Sequence, residues 1–586
     1  QFAGFFVGSD QIEWLWASGA GGTGSDRSYA VAVDGNENSY IAGSFEGTAT
    51  FGSSTLVSGG ATDIYVAKLD PSGTWLWARR AGGTSDARVY GLKTDSNGNC
   101  YISGYIYGTA TFGSTTLTSS GSSETFVAKL DPLGNWLWAV RGGGISNDYS
   151  IDMSIDSTGN LYLVGTFRAT VTFGSTTLTS SGEYDTYAAK LEPSGNWLWA
   201  TRAGGTGTDV GNGISTDNNG NSVITGRYSG TAVFGATTLT SSGGEDIFVA
   251  KLDPSGNWLW AMSAGGGYED HSLDVSTTSA GDVIITGSFN DIAYFGSNIL
   301  TSRGDRDVIV AKLDAFGNWL WAVSGGGISA DRGEGITTDS SGNIYITGYF
   351  TNQVFFGNRI LTGLGDLDAL VAKLDSSGNW LWAEGNGGNA TDSGLDITQT
   401  PSGAICLTGY FNSTNSFGNS NLINQGGNDI FVAMLPATQS LQVTSSPPNA
   451  RIIKDGLDTG FATPHRFTDT VNGLAGTYSA AMDYHLFETV TISTLAEDTS
   501  ISLGGTYVDP PAVLQAIPAV TMNMDLAHQI TSLGLYFSSI DPGISFSISG
   551  NSHINWQSEV PHAITLLPVT GWHGTEHMSI RATDSW

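Results

Sequence analysis

Six aspartates share one register in this chain. Asp26, Asp148, Asp209, Asp270, Asp331 and Asp392 are spaced by 61 residues or by twice that number. The vacant register falls at Ala87, with Asp86 beside it. Carboxylates gathered on one face could hold a cation or a ligand. A hard cation wants several oxygens at once, whereas one Asp per repeat spreads them around a wide ring. Capping of turns by Asx hydrogen bonds is the structural alternative. A second acidic series opens a later segment of each repeat: Asp63, Glu124, Asp185, Asp246, Asp307, Asp368 and Asp429. A basic series closes that segment: Lys68, Lys129, Lys190, Lys251, Lys312 and Lys373, with Met434 in the seventh. Ion pairs between these two series would be structural, because an unpaired buried Lys is costly.

Little else suggests chemistry. Of eight His, only His271 lies within the repeats. No His pair there has metal-ligand spacing, and no Gly-x-Ser-x-Gly elbow is present. The residues expected to line a central channel are Ala32, Lys93, Ser154, Ser215, Ser276, Thr337 and Thr398, which are small and mostly neutral. Asp152, Asp274 and Asp396 fall on the same strand face in alternate repeats and could attract something cationic. The near-identity of the repeats also speaks against an enzyme, which needs one distinctive site. No cofactor is expected; calcium is the ion such carboxylates would suit.

The elements that must position these residues follow from a tetrapeptide. Trp-Leu-Trp-Ala occurs seven times at a strict 61-residue interval, giving the pairs Trp14 and Trp16, Trp75 and Trp77, Trp136 and Trp138, Trp197 and Trp199, Trp258 and Trp260, Trp319 and Trp321, and Trp380 and Trp382. A fixed period of this kind marks a repeat architecture. Each repeat holds four short β-branched or aromatic segments, a to d, bounded by Gly, Asn, Asp and Pro, which is strand and turn chemistry. The surplus length lies between b and c, where a loop or small hairpin is expected. In a strand, residues i and i+2 share a face, so both Trp of a pair are expected on one side of strand d, packed between blades. The seventh copy lacks strand d, and the first Trp-Leu-Trp-Ala has no strand c before it. A closed ring joins these loose ends, with 13–17 pairing antiparallel with 430–435. An open solenoid would leave two bare edges.

Residues 12–437 resemble the bacterial seven-bladed β-propeller repeat proteins of the SBBP type, through Asp-x-x-Gly-Asn-x-Tyr, Phe-Gly and Phe-Val-Ala-Lys-Leu-Asp. The resemblance implies a fold and no shared activity. Thr444–Gly456, with Thr463, Pro464 and Gly476-Thr477-Tyr478, resembles the PEGA β-sandwich module. Residues after Pro510-Pro511, including Thr570-Gly571-Trp572-His573-Gly574-Thr575, resemble Ig-like or cadherin-like repeats. The expected organisation is all-β: a seven-bladed propeller over 1–438, a PEGA-like sandwich over 439–507 and an incomplete Ig-like sandwich over 508–586. The two Cys, Cys100 and Cys406, are expected not to pair.

The formal net charge is −31, with only 23 Lys and Arg. Too few cations are present to neutralise phosphates, so nucleic-acid binding is disfavoured. No apolar run approaches the length of a membrane span. The resemblance implies a secreted or cell-surface bacterial protein, and together with it these features lead to an expectation of no enzymatic activity. Adhesion, surface assembly or filament building would be its work, with other surface proteins or copies of itself as partners. A multivalent glycan-binding propeller is the second reading. Any partner site is expected on the face carrying the d–a and b–c loops.

Overall fold

The computed structural model describes residues 14–436 apart from Asn218 and Asn419, and only strand backbones beyond them. The PEGA-like and Ig-like modules, and their boundary at 507/508, lie outside the described residues. Trp14–Pro436 make one compact unit, and among its described residues every regular element is a strand.

Blade one shows how the repeat folds. Its strands are Arg27–Val33 (a), Ser39–Phe45 (b), Asp63–Leu69 (c) and Trp75–Gly83 (d). They pair antiparallel in that order. Strands b and c are buried along their whole length, which is why they read as nearly continuous apolar runs. The turns are built by carboxylates. Asp34 Oδ1 accepts the backbone N–H of Asn36 at 2.9 Å and of Asn38 at 3.0 Å. Asp70 does the same for Ser72 and Thr74, both at 2.9 Å.

The sheets close in a circuit. Each inner strand a neighbours those of the blades before and after, from Arg27–Val33 round to Ser393–Gln399 and back. The first strand, Trp16–Gly22, pairs antiparallel with Asp429–Leu435, from Trp16 opposite Met434 to Ala20 opposite Ile430. Leu15 N–H also donates to Met434 O at 2.9 Å. The pairing partner expected for the N-terminal strand is therefore the one it has, displaced a few residues toward Gly22.

The b–c surplus is a hairpin, and it joins another blade. In blade two, Thr109–Phe112 pairs with Thr115–Thr118. The same Thr109–Phe112 strand then docks on Gly82 and Gly83 of the preceding blade's strand d. In blades four and five the hairpin is continuous with strands b and c, as in Val283–Phe295 and Asn298–Leu313. The paired Gly residues are obligatory at this junction. Gly265 has φ +145°, and a Cβ on Gly266 would stand 1.8 Å from Ile292 O.

The core lies in layers between blades. The layer between blades one and two holds Tyr40, Ile64 and Val66 against Leu92, Ile102 and Phe126, all buried. Each such side chain contributes about 1.5–3 kcal/mol on burial. The two Trp of a motif do not share a face, contrary to the sequence expectation. Lys68 stands opposite Trp77 but Leu69 opposite Trp75, so a β-bulge inserts Leu76 between them. Lys68 and Leu69 point to opposite faces, and their Trp partners follow. Trp75 thus packs toward the preceding blade and Trp77 toward the next. Each layer receives one Trp from either side, as with Trp77 and Trp136 or Trp260 and Trp319. The first of each pair meets the hairpin Phe edge-on, as in Phe112–Trp136 at 5.3 Å and 82°. Trp16, Trp77, Trp199 and Trp260 donate the indole N–H to the next blade's c–d turn, as from Trp16 to Pro71 O at 3.0 Å, whereas the buried Trp382 Nε1 has no partner. The inserted Leu is left about half exposed. Cys100 and Cys406 are buried free thiols in different layers.

Candidate functional site

The first acidic ring is turned inward. Asp26, Asp148, Asp209, Asp270, Asp331 and Asp392 are wholly buried. Each precedes or opens strand a and caps loop amides. Asp270 accepts from Gly266 N–H at 2.7 Å and from Asn290 N–H at 3.1 Å; Asp331 accepts from Gly327 at 2.7 Å and Thr351 at 2.9 Å. Burial pushes the carboxyls of Asp26, Asp148, Asp209, Asp270 and Asp331 up to about 7, and that of Asp392 up to about 6. Among the described residues, no group of three or more His, Cys, Asp or Glu is placed to hold a metal ion.

The second acidic ring joins the first in pairs. Asp246 Oδ1 and Asp270 Oδ2 converge within 2.9 Å of the place a Gly265 Cβ would occupy. Asp246 Oδ2 accepts Ser242 N–H at 2.9 Å, while its buried Oδ1 has no partner. Burial pushes Asp246, Asp307 and Asp429 up to about 6. Blades one to three relieve this with a cation: Arg80, Arg141 and Arg202 pair with Asp63, Glu124 and Asp185. Blades four to six carry Ser263, Ser324 and Gly385 in the Arg register.

The basic ring is not the partner of the second acidic ring. The two series sit at opposite ends of strand c, five residues or about 17 Å apart. Lys68 instead meets Asp34 of the a–b turn at 3.2 Å, and Lys251 meets Asp217 at 3.7 Å. Blade five has Thr278 in the Asp register, and there Lys312 pairs with Asp282 at 2.8 Å. Blade seven replaces both partners, with Thr400 and Met434.

The channel is charged at mid-depth. Asp152, Asp274 and Asp396 follow bulges in strand a and reach across to the next blade. Their carboxylates accept the N–H of Ile214 at 2.9 Å, Ile336 at 2.8 Å and Val31 at 2.8 Å. Gly213 and Gly335 make room for Asp274 and Asp396. Lys93 faces all three carboxylates, whose attraction raises it against the opposing effect of burial.

Where the d–a loops enter strand a, the repeats cease to be alike. The first channel-facing position holds Arg27, Arg88, Tyr149, Val210, His271, Arg332 and Ser393. On one side of this mouth Glu245 pairs with Arg227 at 2.8 Å and shares a hydrogen bond at 2.9 Å with the His271 imidazole, which burial holds below its usual range. On the other side stands an arc of tyrosines around arginine. Tyr29 and Tyr90 are edge-to-face at 5.1 Å, and Tyr105 and Tyr149 at 5.0 Å. Tyr90 and Tyr105 lie 6.1 Å apart. Arg27 lies over the Tyr410 ring at 4.4 Å. Burial, with the Tyr105 and Tyr29 phenols beside it, pushes Tyr90 above its usual range. This arc escapes a reading that seeks repeated residues. Its signal in the sequence is the opposite one, a register that varies between constant neighbours.

The family model described as a beta-propeller repeat matches residues 325–355, which run from strand d of blade five to the hairpin of blade six. An uncharacterised WD repeat-containing protein, L264 of Acanthamoeba polyphaga mimivirus, is 27% identical over 529 residues, 72% of this chain and 38% of that protein. The regulatory protein FlaEY of Caulobacter vibrioides is 24% identical over 354 residues, 58% of this chain and 32% of its own length. The chain thus spans about a third of the length of these curated relatives. Among solved structures, YCF48 bound to D1 peptide aligns with 73% of this chain and 98% of its own, at 10% identity and TM-score 0.35. A putative gluconolactonase aligns with 70% of this chain and 92% of its own, at 10% identity and TM-score 0.26. The repeated four-stranded sheets closed in a circuit, with the matched repeat, give residues 14–436 the architecture of a β-propeller.

Proposed function

We propose that the repeats form a seven-bladed β-propeller acting as a non-enzymatic interaction scaffold outside the cell, in adhesion, surface assembly or filament building. The modules expected after Pro436 would serve as its stalk. One observation carries the reading. Leu15, Leu76, Leu137, Leu198, Leu259 and Leu320 stand about half exposed, one on each successive outer strand. A single exposed Leu needs no explanation. The same Leu offered at a fixed interval around a rigid wall suits repeated contact with other surface proteins or further copies of this chain. The b–c hairpins add exposed apolar side chains, among them Val57, Ile299 and Ile360.

The test is assembly of the full chain. Leu76, Leu137 and Leu198 are changed together to Ser, and sedimentation velocity is measured with the wild type. Attachment of the native cell surface to the immobilised protein is scored in parallel. Loss of self-association or attachment at unchanged melting temperature is expected. Unchanged behaviour in both assays would remove the basis for the reading. Several equivalent glycan sites would need exposed aromatics at equivalent positions, whereas the mouth tyrosines fall on one arc.

A further inference from the structure

Arg88 is distinct among the arginines of the channel mouth. It shares its repeat position with Arg27 and Arg332. Arg332 has Glu334 at 3.1 Å. Arg27 donates to the Asn428 amide oxygen at 2.8 Å and 3.0 Å once that amide is oriented to satisfy both neighbours. Arg88 has neither a carboxylate nor an amide for a partner: among the described residues no carboxylate lies within ion-pair distance, and its hydrogen bond is to the Tyr90 phenol, while its buried Nε, like that of Arg332, has no hydrogen-bond partner. The residue before it is Ala87, where every other blade has an acidic or polar side chain: Asp26, Asp148, Asp209, Asp270, Asp331 and Asp392. The blade that carries Ala87 in place of the buried carboxylate is the one whose mouth guanidinium has only a neutral phenol for company. A partly desolvated cation without a counter-charge is expensive in any protein.

The surroundings state what would satisfy it. Tyr105 lies directly across the strand pair from Arg88, and Tyr90, the bulged residue between Val89 and Gly91, hydrogen-bonds to Arg88. Tyr29 and Tyr149 extend the arc on either side. All are half-buried, so the group is open to solvent. We propose that this arc is a single binding site for a carboxylated sugar, with the carboxylate on the Arg88 guanidinium and the sugar hydroxyls and ring among the phenols of Tyr29, Tyr90, Tyr105 and Tyr149. Guanidinium matches carboxylate geometry with two parallel hydrogen bonds. A phenol both donates and accepts, and its ring offers an apolar face, which is what a sugar presents in return. A polyanion is repelled by a chain of net charge −31. The carboxylates of Asp152, Asp274 and Asp396 deeper in the channel keep the anion at the mouth. The proposal goes beyond the scaffold reading and does not depend on it.

The experiment uses the full chain with glucuronate as probe and glucose as its neutral counterpart, read by titration calorimetry and saturation-transfer NMR. The wild type should bind glucuronate at least tenfold more tightly than glucose. Arg88→Gln should weaken glucuronate at least tenfold, the loss expected for one charge-assisted pair of about 1.5–3 kcal/mol. Arg359→Gln, on an exposed outer hairpin, should leave binding unchanged. Tyr149→Phe, which keeps the ring and removes one hydroxyl, should weaken binding less than Arg88→Gln. Melting temperatures of all variants confirm folding. No glucuronate binding by the wild type, equal binding of glucose, or equal binding by Arg88→Gln would each overturn the proposal. Tighter binding of a tetra-alanine carboxylate than of glucuronate would overturn the assignment to a sugar.

Discussion

Replacing Asp246 by Asn should make the propeller more stable, and only where the pH is high enough to ionise the wild type. Asp246 Oδ2 accepts Ser242 N–H, and its buried Oδ1 faces Asp270 with no donor between them. An Asn keeps the first bond through its oxygen and turns an N–H toward the Asp270 carboxylate. The Asp246 carboxyl is pushed by burial from 3.8 to about 6. A rise of about two pH units corresponds to about 3 kcal/mol as a ceiling. An unsatisfied buried acceptor costs about 1–3 kcal/mol by an independent argument. The sign follows from proton counts. Between the unfolded value near 3.8 and the folded value near 6 the folded chain holds more protons, so wild-type stability falls as pH rises through that window. The variant lacks this loss. Its gain should therefore be absent at pH 4, grow through pH 6 and level off above it. In a unit of this size about 2 kcal/mol amounts to roughly 2–4 °C in melting temperature. Calorimetric scans from pH 4 to 8 measure it. Asp185→Asn is the contrasting case, because it strips Arg202 of its carboxylate; it should destabilise by about 1 kcal/mol or more. A loss of stability in Asp246→Asn at pH 7.5, or a gain equal at all pH values, would refute the pairing of orphaned carboxylates.

Other expectations concern the frame. Removing residues 1–22 deletes the strand paired with Asp429–Leu435 and should lower the melting temperature by about 10 °C or more, scaled from several net hydrogen bonds of about 1 kcal/mol each and two lost Trp. Trp258→Ala removes the edge-on contact with Phe234 at 5.2 Å; for this half-buried ring about 2–4 kcal/mol of stability should be lost in denaturant titration. Lys251→Met should destabilise by about 1–3 kcal/mol, and adding Asp217→Thr should recover much of it, reproducing the Met434 and Thr400 arrangement of blade seven; a double-mutant cycle reads the coupling. Gly266→Ala places a Cβ 1.8 Å from Ile292 O and should strip hydrogen-exchange protection from the Val283–Phe295 hairpin segment by more than tenfold.

The strand pattern, the turns and the partner of the N-terminal strand were legible because each rests on local chemistry repeated many times. Trp-Leu-Trp-Ala and Asp-x-x-Gly-Asn carry the same physical message in every copy. The error over the Trp faces arose because one inserted residue, Leu76, is invisible to a rule of strict alternation, and only pairing with Lys68 and Leu69 reveals it. The Lys series was assigned the wrong acids because the Asp of the a–b turn is nearer in space than the Asp that opens the same strand. Thr278 with Asp282, and Thr400 with Met434, already recorded that coupling in the sequence. The mouth was missed for a different reason. Attention to what repeats passes over Arg88, Tyr105 and Tyr149, whose meaning lies in breaking the pattern.

The docking of the b–c hairpin on the previous blade's outer strand, found in blades one to six but not in blade seven, whose hairpin pairs only within itself among the described residues, has a consequence for how the ring can come apart. Neighbouring sheets share backbone hydrogen bonds as well as a greasy seam, as at Gly82 and Gly83 with Thr111 and Ala110. Blades one to six cannot peel away without tearing a ladder that belongs to the one before, so the seam between blades six and seven is the one without such a ladder. Melting should consequently spread as a zipper around the circle, without the independent, blade-by-blade fraying of an open array. A deletion that removed one of blades one to five at its sheet borders would still sever two such stitches, so the piece this protein can lose or gain whole is the 61-residue cassette rather than the visible sheet.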